Sequence, residues 1–209
     1  MLSEMDVTVK ICGITSVEDA LAVEQAGADA IGLMFFEDSP RHITLDQASA
    51  IVDSFTKNVV RVGVFVNADE SFVRRAIQNC TLNVLQFHGE ETPEYCAQFD
   101  VMTLKAIRVR DESSLKEMER FSTDGFLLDA FSDNFLGGTG ETFNWELAKR
   151  ATESGRLIFL AGGLNPENVA EAVKVVRPFA VDVSSGVESG PGKKDAAKVR
   201  AFVAAAKGA

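Results

Sequence analysis

The sequence is poor in the residues that build metal centres and disulfide frameworks. Its 209 residues include three cysteines and two histidines. The cysteines, Cys12, Cys80 and Cys96, form no CxxC pair, and the histidines stand in no metal-ligand spacing such as HExxH. We therefore expect a cytoplasmic protein of a reducing compartment, with no disulfide, no metal and no cofactor.

Excess positive charge and long apolar runs are also absent. The chain carries 31 acidic and 21 basic residues, for a formal net charge of −10. Binding to nucleic acid needs clustered Lys and Arg, so we expect no nucleic-acid partner. No window approaches the roughly 18 continuous apolar residues of a membrane span, and residues 1–6 show no signal-peptide pattern. We therefore expect no membrane association. Because the net charge is negative, an anionic ligand would need positive groups placed locally around its site.

Short apolar runs alternate with helical patterns from end to end. The predicted strands are residues 7–11, 30–34, 60–66, 84–87, 102–107, 126–129, 157–161 and 180–183. Strands that alternate with helices form parallel sheets, and eight of them predict a single-domain (β/α)8 TIM barrel over residues 1–209. A doubly wound open sheet is the structural alternative, but the first turn, Cys12-Gly13-Ile14-Thr15, lacks the GxGxxG pattern of such folds.

Local signals predict where three of the helices begin. Thr15 stands three residues before Glu18, which predicts a capping box. Thr92 and Asn165 each precede a proline, an arrangement that predicts a capping side chain followed by proline at the first helical position.

The active site of such a barrel lies at the carboxyl ends of its strands. The polar or glycine positions predicted to fall there are Cys12, Arg41, Gln86, His88, Asp129, Gly162, Gly163, Ser184 and Ser185. Side chains alternate across a strand, so Lys10 shares a face with Cys12, and Asp182 with Ser184. Because the first and last strands adjoin when a barrel closes, Lys10 and Asp182 are predicted to pair inside it, in a structural or a functional role.

Two chemistries are predicted for this end of the barrel. The loops that carry Gly162-Gly163 and Ser184-Ser185 follow strands seven and eight, where backbone N–H groups often form a phosphate site. Cys12 precedes a helix, which is expected to lower the pKa of its thiol and make it a nucleophile or a general base. Asp129 would be the complementary general acid. Most lone cysteines are small buried hydrophobic residues, which is the alternative for Cys12. We expect this structural role for Cys80 and Cys96.

The motifs at these positions resemble those of the phosphoribosylanthranilate isomerase family of tryptophan biosynthesis. They are KICGIT at 10–15, SPR at 39–41, VGVFVN at 62–67, LQFHGE at 85–90, LD at 128–129, GGTG at 137–140, GGLNP at 162–166, VDVSSGVE at 181–188 and PGKKD at 191–195. They occur in order over almost the whole chain, and none departs from the family at a position that carries chemistry.

The resemblance implies an Amadori rearrangement of a phosphosugar–anthranilate substrate. It assigns the general acid to Asp129, the general base to Cys12 and the carboxylate anchor to Arg41. Gly162, Gly163, Ser184 and Ser185 would hold the phosphate, and the oligomeric state would be monomer or homodimer.

Other functions remain open at this point. They are a histidine-pathway aminoaldose isomerase, indole-glycerol-phosphate synthase and a non-catalytic phosphosugar-binding barrel. Loops 35–43 and 130–142 are predicted to act as partial lids, with flexibility supplied by the glycine run at 137–140.

Overall fold

A computed structural model describes residues 7–130 and 145–209, and in them eight parallel strands close into a barrel. The strands are β1 (Thr8–Cys12), β2 (Ala30–Met34), β3 (Val60–Phe65), β4 (Val84–Phe87), β5 (Met102–Val109), β6 (Gly125–Ala130), β7 (Leu157–Ala161) and β8 (Ala180–Val183). Each strand pairs with the next, and β1 pairs with β8 to close the ring. The predicted TIM barrel is therefore confirmed, and the open-sheet alternative is wrong.

Helices follow the strands and cover the outside of the barrel. They are α1 (Val17–Gln25), α2 (Leu45–Asp53), α3 (Glu70–Asn79), α4 (Pro93–Cys96), α5 (Glu112–Glu117), α6 (Trp145–Thr152), α7 (Val169–Val176) and α8 (Ala196–Lys207). A 3-10 turn at Ser185–Val187 leads into a small antiparallel hairpin of β9 (Glu188–Gly190) and β10 (Lys193–Lys194), which the sequence did not predict. Within residues 7–130 and 145–209, no helix is long and apolar enough to cross a bilayer.

Alternation along the strands separates the apolar residues into two layers. The larger layer lies between strands and helices and includes Val9, Ile11, Ile31, Leu85 and Phe126. The smaller layer fills the barrel interior, with Ala30, Val62, Val84, Leu104, Leu127 and Phe159 among its members. The middle of the interior is therefore filled with side chains, as is usual in barrels of this kind.

Two of the three predicted helix starts differ in the structure. Ser16, not Thr15, caps α1, because the Ser16 hydroxyl accepts a hydrogen bond from the Asp19 backbone at 3.1 Å. Helix α7 begins at Val169, later than the proline after Asn165. The Asn165 side chain instead accepts from two backbone N–H groups of the turn that precedes the helix. The Thr92 cap of α4 is confirmed.

Candidate active site

Cys12 is the last residue of β1, and its thiol lies on the interior face of the barrel. It pairs in register with Gly32 on β2, and a Cβ atom at Gly32 would lie 2.5 Å from Cys12 Sγ. The glycine therefore leaves the space that the thiol occupies, a steric requirement that sequence reasoning missed. Only 6% of Cys12 is exposed.

Lys10 and Asp182 form a buried ion pair below Cys12. The two residues are in register on β1 and β8, and Lys10 Nζ donates to Asp182 Oδ1 at 2.9 Å. The predicted pair is therefore confirmed. Burial opposes the charge on Lys10, but the carboxylate of Asp182 and the sulfur of Cys12 outweigh burial, and the pKa of Lys10 is raised. Lys10 thus remains an ammonium beside the thiol.

The direction of the Cys12 pKa shift differs from the expectation. Burial is the largest influence and raises the pKa of the thiol, while the ammonium of Lys10 lowers it and the carboxylate of Asp182 raises it. The net pKa is raised, so the expected lowering is wrong. The physical reason is that the sulfur lies in the barrel wall, where water cannot solvate a thiolate.

Arg41 reaches the barrel mouth from the loop after β2. Its Nε and Nη2 donate to the two carboxylate oxygens of Glu188 at 2.8 and 2.7 Å, and Lys194 Nζ donates to the same carboxylate at 2.8 Å. Burial alone would raise the pKa of Glu188, but the hydrogen bonds from Arg41 and Lys194 outweigh burial and lower it. Sequence reasoning assigned no role to Glu188 or Lys194, because the hairpin that brings them together was not predicted.

Ser184 lies close to Arg41 and to the first turn of the barrel. A Cβ atom at Gly13 would lie 2.5 Å from Arg41 Cδ and 3.2 Å from Ser184 Oγ, so the three residues converge. The buried Ser184 hydroxyl has no hydrogen-bond partner among the residues that the structure describes. Most buried polar groups have a hydrogen-bond partner, so the Ser184 hydroxyl is a candidate donor to a ligand.

The loops after β7 and β8 are in direct contact. Gly162 and Gly163 have positive φ angles of 83° and 67°. Any Cβ atom at Gly186 would overlap the carbonyl oxygen of Leu164. Ser185 is exposed at the start of the 3-10 turn, beside this contact. The two loops that carry the predicted phosphate residues thus meet where Gly186 lies against Leu164.

Asp129 and His88 meet on the opposite side of the mouth. Asp129 lies on β6, two residues beyond the interior residue Leu127, and its Oδ2 lies 3.4 Å from His88 Nε2. The other ring nitrogen, His88 Nδ1, lies 3.0 Å from Gln86 Nε2. All three had been predicted to lie at the strand ends, but their mutual contact had not been predicted.

Among residues 7–130 and 145–209, no three His, Cys, Asp or Glu side chains are placed to hold a metal ion.

The glycine run at 137–140 and most of the predicted lid at 130–142 lie outside the described residues. The predicted lid at 35–43 is tied to the loop after β8 by Arg41 and Glu188.

Known proteins are similar to this chain in sequence and in fold. Residues 9–205 match the model of the family described as N-(5'phosphoribosyl)anthranilate (PRA) isomerase. A protein of Trichlorobacter lovleyi named N-(5'-phosphoribosyl)anthranilate isomerase is 52% identical, over 96% of this chain and 98% of its own. The crystal structure of phosphoribosyl anthranilate isomerase from Thermotoga maritima has a TM-score of 0.88 and 44% identity, and the match covers 97% of this chain and all of that one.

A second structure of such an isomerase contains a ligand. It holds reduced 1-(o-carboxyphenylamino)-1-deoxyribulose 5-phosphate, and it is similar to this chain with a TM-score of 0.85 and 42% identity over 97% of this chain and all of that one. The family match covers most of the chain, and the relatives share about half of its residues over nearly their full lengths. This chain therefore belongs to the N-(5'-phosphoribosyl)anthranilate isomerase family.

Proposed function

We propose that this chain converts N-(5'-phosphoribosyl)anthranilate to 1-(2-carboxyphenylamino)-1-deoxyribulose 5-phosphate in tryptophan biosynthesis. The observation that carries the proposal is the placement of Cys12 on β1 and Asp129 on β6, both at the carboxyl ends of interior strand faces. Two strands separate them on one side of the ring and four on the other. A ribose bound between them would have a base and an acid on different sides.

Asp129 opens the sugar ring as the general acid. It gives its proton to the ring oxygen while the C1'–O bond breaks, and the nitrogen lone pair forms the C=N bond of a Schiff base. Cys12 then removes the C2' proton as a thiolate. The C–H electron pair forms the C1'=C2' bond of an enolamine while the C=N π pair returns to the nitrogen. A proton moves from the C2' hydroxyl to C1' to give the ketone. Each positioned acid or base is worth about 10²- to 10⁴-fold in rate.

Lys10 supports the thiolate that this step requires. The pKa of Cys12 is raised by burial, and the ammonium of Lys10 is the largest influence in the opposite direction. Asp182 in turn holds Lys10 in place. We therefore assign Lys10 and Asp182 to the support of the base rather than to contact with the substrate.

The substrate has two anionic ends, and the mouth has two parts that suit them. One part is rich in N–H and O–H donors, and the other carries the guanidinium of Arg41. The surface formed by Gly162, Gly163, Ser184 and Ser185 would take the phosphate, with the unpaired Ser184 hydroxyl as one donor. Arg41 would bind the anthranilate carboxylate, because a guanidinium keeps further N–H donors after Nε and Nη2 have bound Glu188. Anchors at both ends would fix the ribose between acid and base.

Three cysteines without disulfides suit a reducing compartment, and we place the enzyme in the cytoplasm. A monomer or a homodimer remains the prediction for its oligomeric state. The small phosphosugar–anthranilate substrate is its expected partner.

A fluorescence assay with freshly generated phosphoribosylanthranilate tests the function. We expect the wild type to consume the fluorescent substrate rapidly. Cys12→Ser and Asp129→Asn should each lose more than about 100-fold in kcat. Cys80→Ser is the matched control, since Cys80 is a buried cysteine at the end of α3, and should keep wild-type turnover. A folded wild type without turnover would refute the isomerase activity and favour a phosphosugar-binding barrel.

A further inference from the structure

His88 lies between Asp129 and a buried amide, and the proposed function leaves this arrangement without a role. His88 Nε2 is 3.4 Å from Asp129 Oδ2, and His88 Nδ1 is 3.0 Å from Gln86 Nε2. Gln86 is 1% exposed inside the barrel, whereas about a quarter of the His88 side chain and a third of the Asp129 side chain are exposed. The chain of contacts thus runs from the interior to the proposed general acid.

The orientation of the Gln86 amide, with its nitrogen towards the ring, favours one tautomer of His88. An amide nitrogen only donates hydrogen bonds, so His88 Nδ1 must accept at 3.0 Å. A neutral imidazole that accepts at Nδ1 has its proton on Nε2. Nε2 is also the ring nitrogen that lies 3.4 Å from Asp129 Oδ2.

The backbone of His88 is held firmly by a second buried ion pair. Lys105 Nζ donates to Glu91 Oε2 at 2.9 Å, and the Glu91 carboxylate accepts from the backbone N–H groups of Gly89 and Asn67. The backbone N–H of His88 donates to the Phe65 carbonyl at 2.8 Å. The imidazole therefore projects from a loop that is fixed on both sides.

Gln86 is a poor choice for packing alone. Its Oε1 is buried and has no hydrogen-bond partner among the residues that the structure describes. An unsatisfied buried amide oxygen destabilises a fold, and a side chain of similar shape without polar atoms would avoid the penalty. Gln86 therefore fits a requirement of the site better than a requirement of packing.

We propose that Gln86 and His88 are positioning residues for Asp129, and that Gln86 holds His88 in the tautomer that donates to Asp129 Oδ2. The inference rests on the proposed function of Asp129 as general acid. An N–H at Oδ2 disfavours a proton on that oxygen, so the acidic proton lies on Oδ1. When this proton passes to the ring oxygen of the sugar, the same N–H stabilises the carboxylate that forms. His88 neither gains nor loses a proton in the step.

Nitrogen NMR of the imidazole rings tests the tautomer without reference to activity. The chain has only two histidines, His42 and His88, so a His42→Asn variant with ¹⁵N-labelled imidazole shows His88 alone. We expect a protonated Nε2 and an unprotonated Nδ1. In Gln86→Glu the carboxylate accepts from the ring, and Nδ1 should become protonated. A wild-type ring with its proton on Nδ1 would overturn the proposal.

Matched substitutions test the effect on catalysis. The amide of His88→Gln places an N–H where Nε2 stands, whereas the shorter His88→Asn places one where Nδ1 stands. In His88→Asn we expect kcat to fall about 10- to 100-fold, which is the effect of losing a hydrogen bond to a charged group, while KM stays within about twofold. His88→Gln should retain most of its activity. Equal losses in the two variants would contradict the role of the Nε2 donor.

Gln86→Met separates positioning from packing. We expect it to lower kcat while the free energy of unfolding stays the same or rises, because the unsatisfied Oε1 is removed. Loss of stability with unchanged kcat would mean that Gln86 is only structural. A wild type that does not turn over phosphoribosylanthranilate would overturn the function and this role together, whereas an active wild type with the wrong tautomer would overturn only the role.

Discussion

Removal of Lys10 provides the most demanding test of the barrel interior. Lys10 is 0% exposed and Asp182 is 7% exposed, and their side chains share a 2.9 Å ion pair. In Lys10→Met the apolar stem is kept and the ammonium is lost. Asp182 then has a buried negative charge without its partner.

The expected size of the effect follows from this burial. Breaking a buried pair by removing one partner costs about 3–5 kcal/mol, a large part of the roughly 5–15 kcal/mol that stabilises a typical domain. Replacement of both partners with apolar residues of similar volume is often neutral. We therefore expect Lys10→Met to be strongly destabilised, and the double variant Lys10→Met/Asp182→Leu to recover most of the loss.

Urea unfolding measures both variants, with Trp145 as the single tryptophan reporter and circular dichroism as a second probe. In activity, loss of the Lys10 ammonium raises the pKa of Cys12 further, so the alkaline rise of kcat/KM should move to higher pH.

Two results would refute this reasoning. A loss below about 1 kcal/mol in Lys10→Met would mean that the ion pair is not desolvated as its burial indicates. A double variant as unstable as the sum of the two single variants would mean that Lys10 and Asp182 act independently.

Two further predictions concern charge at the mouth and thiols in the core. Glu188→Gln should lower the free energy of unfolding by about 2–4 kcal/mol at pH 7, because Arg41 and Lys194 lose the carboxylate between them. Since the folded-state pKa of Glu188 is lowered, this advantage of the wild type is complete above about pH 4.5 and is lost as pH falls through the lowered pKa. Urea titrations should therefore show a smaller difference between the two proteins at pH 3.5 than at pH 7. Burial raises the pKa of Cys96 from 9.0 to about 12, so the folded state keeps the proton that the unfolded state loses. The free energy of unfolding of the wild type should therefore fall with rising pH above about 9. Cys96→Ala should reduce the slope of this fall by about 1.4 kcal/mol per pH unit. An unchanged slope would show that the Cys96 thiol does not contribute.

Local patterns were sufficient for the eight barrel strands and for the end of the barrel at which the candidate site lies. Strands β2, β4, β7 and β8 have the predicted bounds, because short apolar runs that are buried on both faces differ clearly from helical periodicity. The Lys10–Asp182 pair was also predictable, since side chains alternate along strands and barrel closure makes the first and last strands neighbours. The organisation as one domain stays a prediction.

The remaining features depend on distances between segments that are far apart in the chain. Arg41 and Glu188 are 147 residues apart, and only the β9–β10 hairpin brings Lys194 to the same carboxylate. The contact between His88 and Asp129 likewise required the register of strands β4 to β6.

The sequence by itself determined the strand and helix order, the family and the residue types at the barrel mouth, because these follow from periodicity and local motifs. Only the tertiary structure decided the electrostatics. A helix that follows Cys12 suggested a lowered thiol pKa, but burial in the barrel wall outweighs this influence and raises the pKa. Solvation and partner distance are set by the whole fold, and proton affinities therefore follow from packing rather than from neighbours in the chain.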